Sequence, residues 1–207
     1  MKQWKKLLSL VLIFVLALAP LNVQAASNKT KALKAYKKLL SAKNIRWGTN
    51  SYEPTVPAKN CQFALAYIDN DSVPELIVYN SKDVPHMVGY GLLYTYRSGK
   101  VRLLGYINID DKLSYYKKKG VIVTSYVSGG TTYSYYKLSK TKITNKLAIG
   151  IDVLTQKKSY YTVSNDIFKK TTRNKFNKAL NKLVGSKKKT TIKFRKNNAS
   201  NRKKYIK

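Results

Sequence analysis

Apolar positions change their period twice along the chain. Ala32, Leu33, Tyr36, Leu39 and Leu40 recur at spacings of three and four, which predicts a helix running to about Lys43. Ser27 or Asn28 can cap it, and Lys31, Lys34, Lys37 and Lys38 fill much of its other side. Residues 44–57, with Trp47, Gly48 and two prolines, read as a loop. After Cys61 short runs replace the helical spacing. Strands are predicted at 63–67 and 76–80 around an acidic turn, and at 92–97 and 101–107 around Ser98-Gly99-Lys100, a short hairpin signal. Further strands follow at 113–118, 121–127, 131–138, 143–154 and 159–163, with turn residues every eight to twelve positions.

Helical spacing returns near Thr172, where Phe176, Leu180, Leu183 and Val184 share a face and Gly185 suits the stop. A last strand at 191–194 and a short helix at 199–206 complete the pattern. The order of helix, strands and helices predicts an α+β fold. In it an antiparallel meander sheet carries an N-terminal helix and C-terminal helices on one face. No Pro/Gly/Ser linker interrupts 26–207, so one domain is expected there.

The first 25 residues read differently. Met1 to Lys6 is a basic segment, Leu7 to Pro20 is apolar, and Val23-Gln24-Ala25 offers small residues before a cleavage point. This predicts a signal peptide over 1–25 and a secreted product, retained or not at the cell envelope. The apolar run is short for a membrane span, and no second one follows. No Cys stands at the cleavage point for a lipid anchor.

Charge narrows the partners. The chain has 41 Lys+Arg against 9 Asp+Glu, a net charge of +32 in 207 residues, and six of the basic residues are Arg. Lys is a hydrated point charge, whereas Arg supplies the planar fork of bidentate recognition. The pattern therefore predicts diffuse attraction to polyanions, such as anionic cell-wall polymers, anionic head groups or released nucleic acid, without a specific nucleic-acid motif. A solvated surface with no partner is the alternative. One Cys and one His exclude a disulfide framework within the chain and the usual zinc sites.

Three of the nine acids fall within seven residues, at Asp69, Asp71 and Glu75. Alternate positions of a tight turn can converge, so these carboxylates, with the Val73 carbonyl and waters, are candidate ligands for Ca²⁺. The other reading is a metal-free turn whose carboxylates pair with nearby Lys.

The segment from Phe63 through Tyr67, Asp69, Asn70, Asp71, Ser72 and Glu75 to Val78 resembles the "F-x-L-x-D-I-D-G-D-G-V-P-E-L" loop of uncharacterised secreted proteins of Gram-positive anaerobes. The tail, Phe194 through Asn197, Asn198, Ala199, Asn201, Arg202 and Tyr205 to Ile206, is similar to their closing "F-x-x-N-T-A-x-N-R-x-x-Y-L". The resemblance implies export, a helix-flanked sheet, calcium in the loop and no established activity. Here Tyr67 replaces the first loop Asp, and Asn70 and Ser72 replace both glycines, which removes a ligand and weakens calcium binding. The tail stretch reads as a capped helix start, with Arg202 pairing one of the scarce acids.

Catalytic patterns are sparse. Cys61 and His86 are the one thiol and imidazole, and neither stands in a nucleophile context. Cys61 can instead form an intermolecular disulfide. Asp110-Asp111 reads as a turn, Ser128-Gly129-Gly130 as a hairpin turn, and neither a phosphate loop nor a G-x-S-x-G turn is present. Tyr94 with Tyr96, and Tyr133 with Tyr135, each share one side of a strand, which allows a stacking face for sugars or bases. Ordinary half-buried strand tyrosines are the alternative. The expectation is a non-catalytic, basic, secreted domain associating with envelope polyanions. A calcium-stabilised adhesion or ligand-binding module, or an extracellular hydrolase, are the alternatives.

Overall fold

The computed structural model describes residues 28–47, 55–80, 90–110 and 112–207. The signal peptide expected at 1–25 and His86 lie outside the described residues. Helix α1 (28–40) forms on the predicted stripe: Ala32, Leu33, Tyr36 and Leu40 are buried and Lys31, Lys34, Lys37 and Lys38 are exposed. The expected loop at 44–57 is instead bounded by a hairpin. β1 (Asn44–Arg46) pairs antiparallel with β2 (Thr55–Pro57), setting Ile45 opposite Val56 in the core. Three residues a side are too few for a periodicity signal. Trp47, fully buried, holds the hairpin down.

A 3-10 turn (Ala58–Asn60) leads to β3 (Gln62–Ala66), β4 (Glu75–Tyr79), β5 (Tyr90–Arg97) and β6 (Lys100–Asn108). These make an antiparallel sheet of order β14–β3–β4–β5–β6, closed at one edge by β14 (Arg195–Lys196). Ser98 and Gly99 both take positive φ (52° and 75°), the two-residue hairpin turn whose twist suits flanking strands. A second meander follows: β7 (Ser114–Tyr116), β8 (Val121–Val127), β9 (Gly130–Leu138), β10 (Ile143–Asp152), β11 (Lys158–Ser164) and β12 (Ile167–Thr171). With β13 (Lys189–Thr191) beside β7 it forms a seven-stranded antiparallel sheet. β12 lacks any alternation, since Ile167 through Lys170 are all exposed; a tight turn at Asn165-Asp166 folds it back on β11. Helix α2 (Arg173–Val184) starts at Thr172, whose side chain accepts from Lys175 N, and stops at Gly185 with φ 60°. Helix α3 (Ala199–Tyr205) ends the chain.

Alternating strand positions sort into three apolar clusters, and these define layers. Phe63, Leu76, Val78 and Leu92 pack with Tyr36 and Leu40 of α1 and with Ile206 of the tail. Ala64, Ala66, Ile77 and Leu93, on the opposite face of the same strands, meet Ile122 and Leu138 of the second sheet. Val121, Val123, Tyr135 and Leu147, on that sheet's other face, pack against Phe176 and Val184 of α2. The fold is α+β with two sheets face to face and a helix on each outer side. The single helix-bearing face expected from the sequence is thus two faces of two sheets, because each meander is apolar on both sides. The expected strand at 191–194 is where the chain changes sheets. Ile192 N still bonds to Leu113 O beside β7, Phe194 packs on Tyr79, and pairing with β3 begins only at Arg195.

Candidate cation site in the acidic turn

The turn between β3 and β4 lies at one end of both sheets. Tyr67 O and Ile68 O accept from Lys118 N (3.0 Å) and Gly120 N (2.6 Å) of the β7–β8 turn, so the second sheet anchors the loop. Asp69 Oδ1 accepts from Asp71 N at 3.0 Å, and Asp71 Oδ1 from Val73 N at 2.8 Å. Each Asp thereby bonds the backbone two residues on, which bends the chain without the two glycines of the motif it resembles. Glu75 Oε2 accepts from Ile68 N at 3.0 Å and closes the turn from inside. Tyr36 of α1 donates its hydroxyl to Pro74 O at 3.0 Å.

Asp69, Asp71 and Glu75 converge: one carboxylate oxygen from each lies within 4.8 Å of the others. Such a cluster is compatible with calcium, for which it offers hard oxygen ligands. It already faces a cation of the chain itself. Arg97, at the end of β5, donates to Asp69 Oδ2 at 2.5 Å and lies 3.8 Å from Asp71 Oδ2. The lysine pairing expected for a metal-free turn is therefore an arginine pairing. Arg97 is 28 residues from Asp69 in sequence and reaches it because β4 and β5 pair; its position beside the Ser98-Gly99 turn was the one available signal.

Electrostatics follow from burial. Glu75 is 1% exposed, and its Oε1 has no hydrogen-bond partner. Desolvation first, then the charges of Asp69 and Asp71, push its pKa up to about 8 against an ordinary 4.5, opposed by the Ile68 N–H. The Asp71 carboxyl is also raised, by burial first, with Val73 N–H and Arg97 opposing. At neutral pH a protonated Glu75 and the Arg97 charge together keep three carboxyl groups compatible in one turn.

Other predicted sites fare differently. The Cys61 side chain is 2% exposed, 3.8 Å from Pro57 O, so an intermolecular disulfide requires the core to open. Asp110 accepts from Val127 N at 2.8 Å, a structural link to the end of β8. Among the described residues the paired tyrosines pack on the core, Tyr96 and Tyr133 partly buried against the same clusters as Tyr94 and Tyr135. Tyr94 is buried under α1, while Tyr135 and Tyr160 pack on Phe176 with ring centroids 5.6 and 5.3 Å away. Arg202 pairs with no acid among the described residues; it donates to Asn197 Oδ1 at 2.9 Å. Asn197, which the sequence presented only as part of the tail motif, is the buried hub of the tail. Its Nδ2 donates to Leu40 O (2.7 Å) and Ala58 O (2.8 Å), and Asn198 caps α3 by accepting from Asn201 N.

Fold and turn together define an α+β protein of two stacked sheets, strongly basic, with an acidic turn closed by its own arginine. Comparison with family models, curated proteins and solved structures finds no match to the chain. No helix among the described residues is long and apolar enough to cross a membrane.

Proposed function

We propose that the chain is an exported, non-catalytic protein that adheres to anionic polymers of the cell envelope through its lysine surface. One observation carries this: both ion pairs among the described residues belong to Arg97, and no described lysine is paired with a described carboxylate. Without Lys2, Lys5 and Lys6 of the proposed leader, 38 basic residues face 9 acidic ones, an excess of +29 that no ion pairing within the molecule can cancel. Such a surface attracts polyanions at long range and gains free energy from the counterions they release. Export rests on the basic and apolar pattern of the first 25 residues. Co-sedimentation with envelope particles before and after extraction of their phosphate polymers tests the proposal. Binding is expected to fall at least tenfold on extraction, and unchanged binding would refute it.

A second reading has its own support. Glu75 Oε1, unpartnered and buried beside two further carboxylates, is the arrangement a hard cation relieves. Calcium held by Asp69, Asp71 and Glu75 would displace Arg97 and stabilise an extracellular adhesion or ligand-binding module. Affinity at the weak extracellular end, about 10⁻⁴–10⁻³ M, is enough. A melting temperature that rises with millimolar calcium, and not in Asp71→Ala, would support it. No response in the unaltered protein would exclude it.

A further inference from the structure

The lysine surface is not uniform. Two adjoining clefts of about 690 and 400 Å³ share Thr162 and run along one flank of α2. At the near end lie Lys137 of β9, Lys146 of β10 and Lys182 of α2; at the far end lie Lys169 and Lys170 of β12 and Lys175 of α2. The two clefts meet at Thr162 of β11; β9, β10 and β11 carry Tyr135, Leu147 and Tyr160 under α2, and β12 is the exposed edge strand beside them, so the lysines follow one line across the sheet. Three strand spacings give roughly 14 Å. The helix from Thr172 to Leu183 gives about 16 Å by its rise, so the two walls match in length.

Lys175, Ala179 and Lys182 fall at i, i+4 and i+7, on a single flank of the helix. Lys169 is in register with Thr162, and Thr162 with Leu147, so these three share the sheet face that carries α2. Lys146 sits where the β9–β10 register shifts, and that bulge turns an extra cation out at the groove's rim. Among the described residues no acid lines either cleft. The far end also adjoins the N-terminus of α2, whose dipole adds positive potential there; at the opposite end three lysines outweigh the helix's negative end.

We infer that this groove is the seat of a linear, flexible phosphodiester polymer without bases, lying along α2 and held by successive lysines. This rests on the polyanion reading above and gives it a place on the molecule. The occupant follows from what lines the groove. Among the described residues no aromatic ring lines it, so bases have no described ring to stack on. The nearby Tyr135 and Tyr160 are committed to Phe176 under the helix. Lysines, as point charges on flexible stems, suit phosphates that rotate freely along a chain better than a rigid fork would.

The test uses the full chain and purified poly(glycerol phosphate) as probe. The variant Lys146→Gln, Lys169→Gln, Lys175→Gln, Lys182→Gln is compared with Lys31→Gln, Lys34→Gln, Lys37→Gln, Lys38→Gln, which removes as many exposed charges from α1. Groove substitution is expected to weaken binding at least tenfold. It should also lower the slope of log affinity against log salt by about 3, at roughly 0.7 per phosphate contact. The α1 set should lose less than threefold. Should the quadruple variant not fold, Lys169→Gln with Lys175→Gln is expected to lower the slope by about half as much. Equal losses from both sets would overturn the groove while leaving the polyanion reading standing. Salt-insensitive binding by the unaltered protein would defeat both. Tighter groove-dependent binding of oligo(dT) of equal charge would overturn the choice of occupant.

Discussion

Glu75 is where burial and charge collide most sharply. Its carboxyl holds a proton up to about pH 8 in the folded chain and releases it near 4.5 when unfolded. Folding therefore takes up a proton between those values. The stability this contributes is complete below about pH 4.5 and is lost as pH rises toward 8. The unfolding free energy of the unaltered protein should fall from pH 5 to pH 8 by roughly 3–5 kcal/mol in all, read as a lower denaturation midpoint. Glu75→Gln, which keeps the shape without the proton, should lose most of that slope, keeping what the raised Asp71 carboxyl contributes, and be the more stable of the two at pH 8. A flat profile for the unaltered protein would show that Glu75 is not held as described.

Arg97 is the complementary residue. Arg97→Gln leaves Asp69 without its 2.5 Å partner and restores the repulsion among the three carboxyl groups. Because the pair is only partly buried, the loss should be about 1–2 kcal/mol. It is read as a lower melting temperature in calcium-free buffer. Millimolar calcium should recover more of that loss than it adds to the unaltered protein, since Arg97 no longer competes for the carboxylates.

At the scale of elements, helices attach by few but deep contacts. Phe176, 1% exposed, meets Tyr135 and Tyr160 and is the anchor of α2. Phe176→Ala should cost about 3–5 kcal/mol in urea unfolding. The tail attaches through polar groups as well as through Ile206 in the core. Asn197→Ala leaves Leu40 O without its Asn197 donor and removes the support of Arg202, at about 2–3 kcal/mol, with an unchanged m-value if the tail unfolds with the rest.

These elements also show what a sequence can and cannot convey. The stripes of α1 and α2 were legible because one apolar face and a cap suffice to define a helix, and Thr172 and Gly185 stand at the ends expected. The strands of both meanders were legible in outline. Their division into two sheets was not, because Ala64 and Phe63 are both apolar yet face different layers. β12 carries no buried side chain and owes its place to the Asn165-Asp166 turn and the edge of β11. In the acidic turn, spacing was enough to bring Asp69, Asp71 and Glu75 together. Their cation came from a strand that local pattern cannot reach.

For the whole molecule, architecture and charge act separately. Two sheets and two outer helices bury apolar residues in three layers, which leaves the lysines to the surface. Net charge of this size adds self-repulsion to the folded state, so moderate salt should raise the melting temperature while it weakens binding to polyanions. Opposite responses of stability and polyanion binding to salt would separate the proposed electrostatic adhesion from a partner held by apolar contact.

The most direct measurement is the affinity of the full chain for purified anionic wall polymer across 50 to 500 mM salt. A steep linear fall of log affinity with log salt, with a slope of at least about 3 in magnitude, is the expected result for several phosphate contacts. Binding of equal strength at both ends of that range would contradict the account.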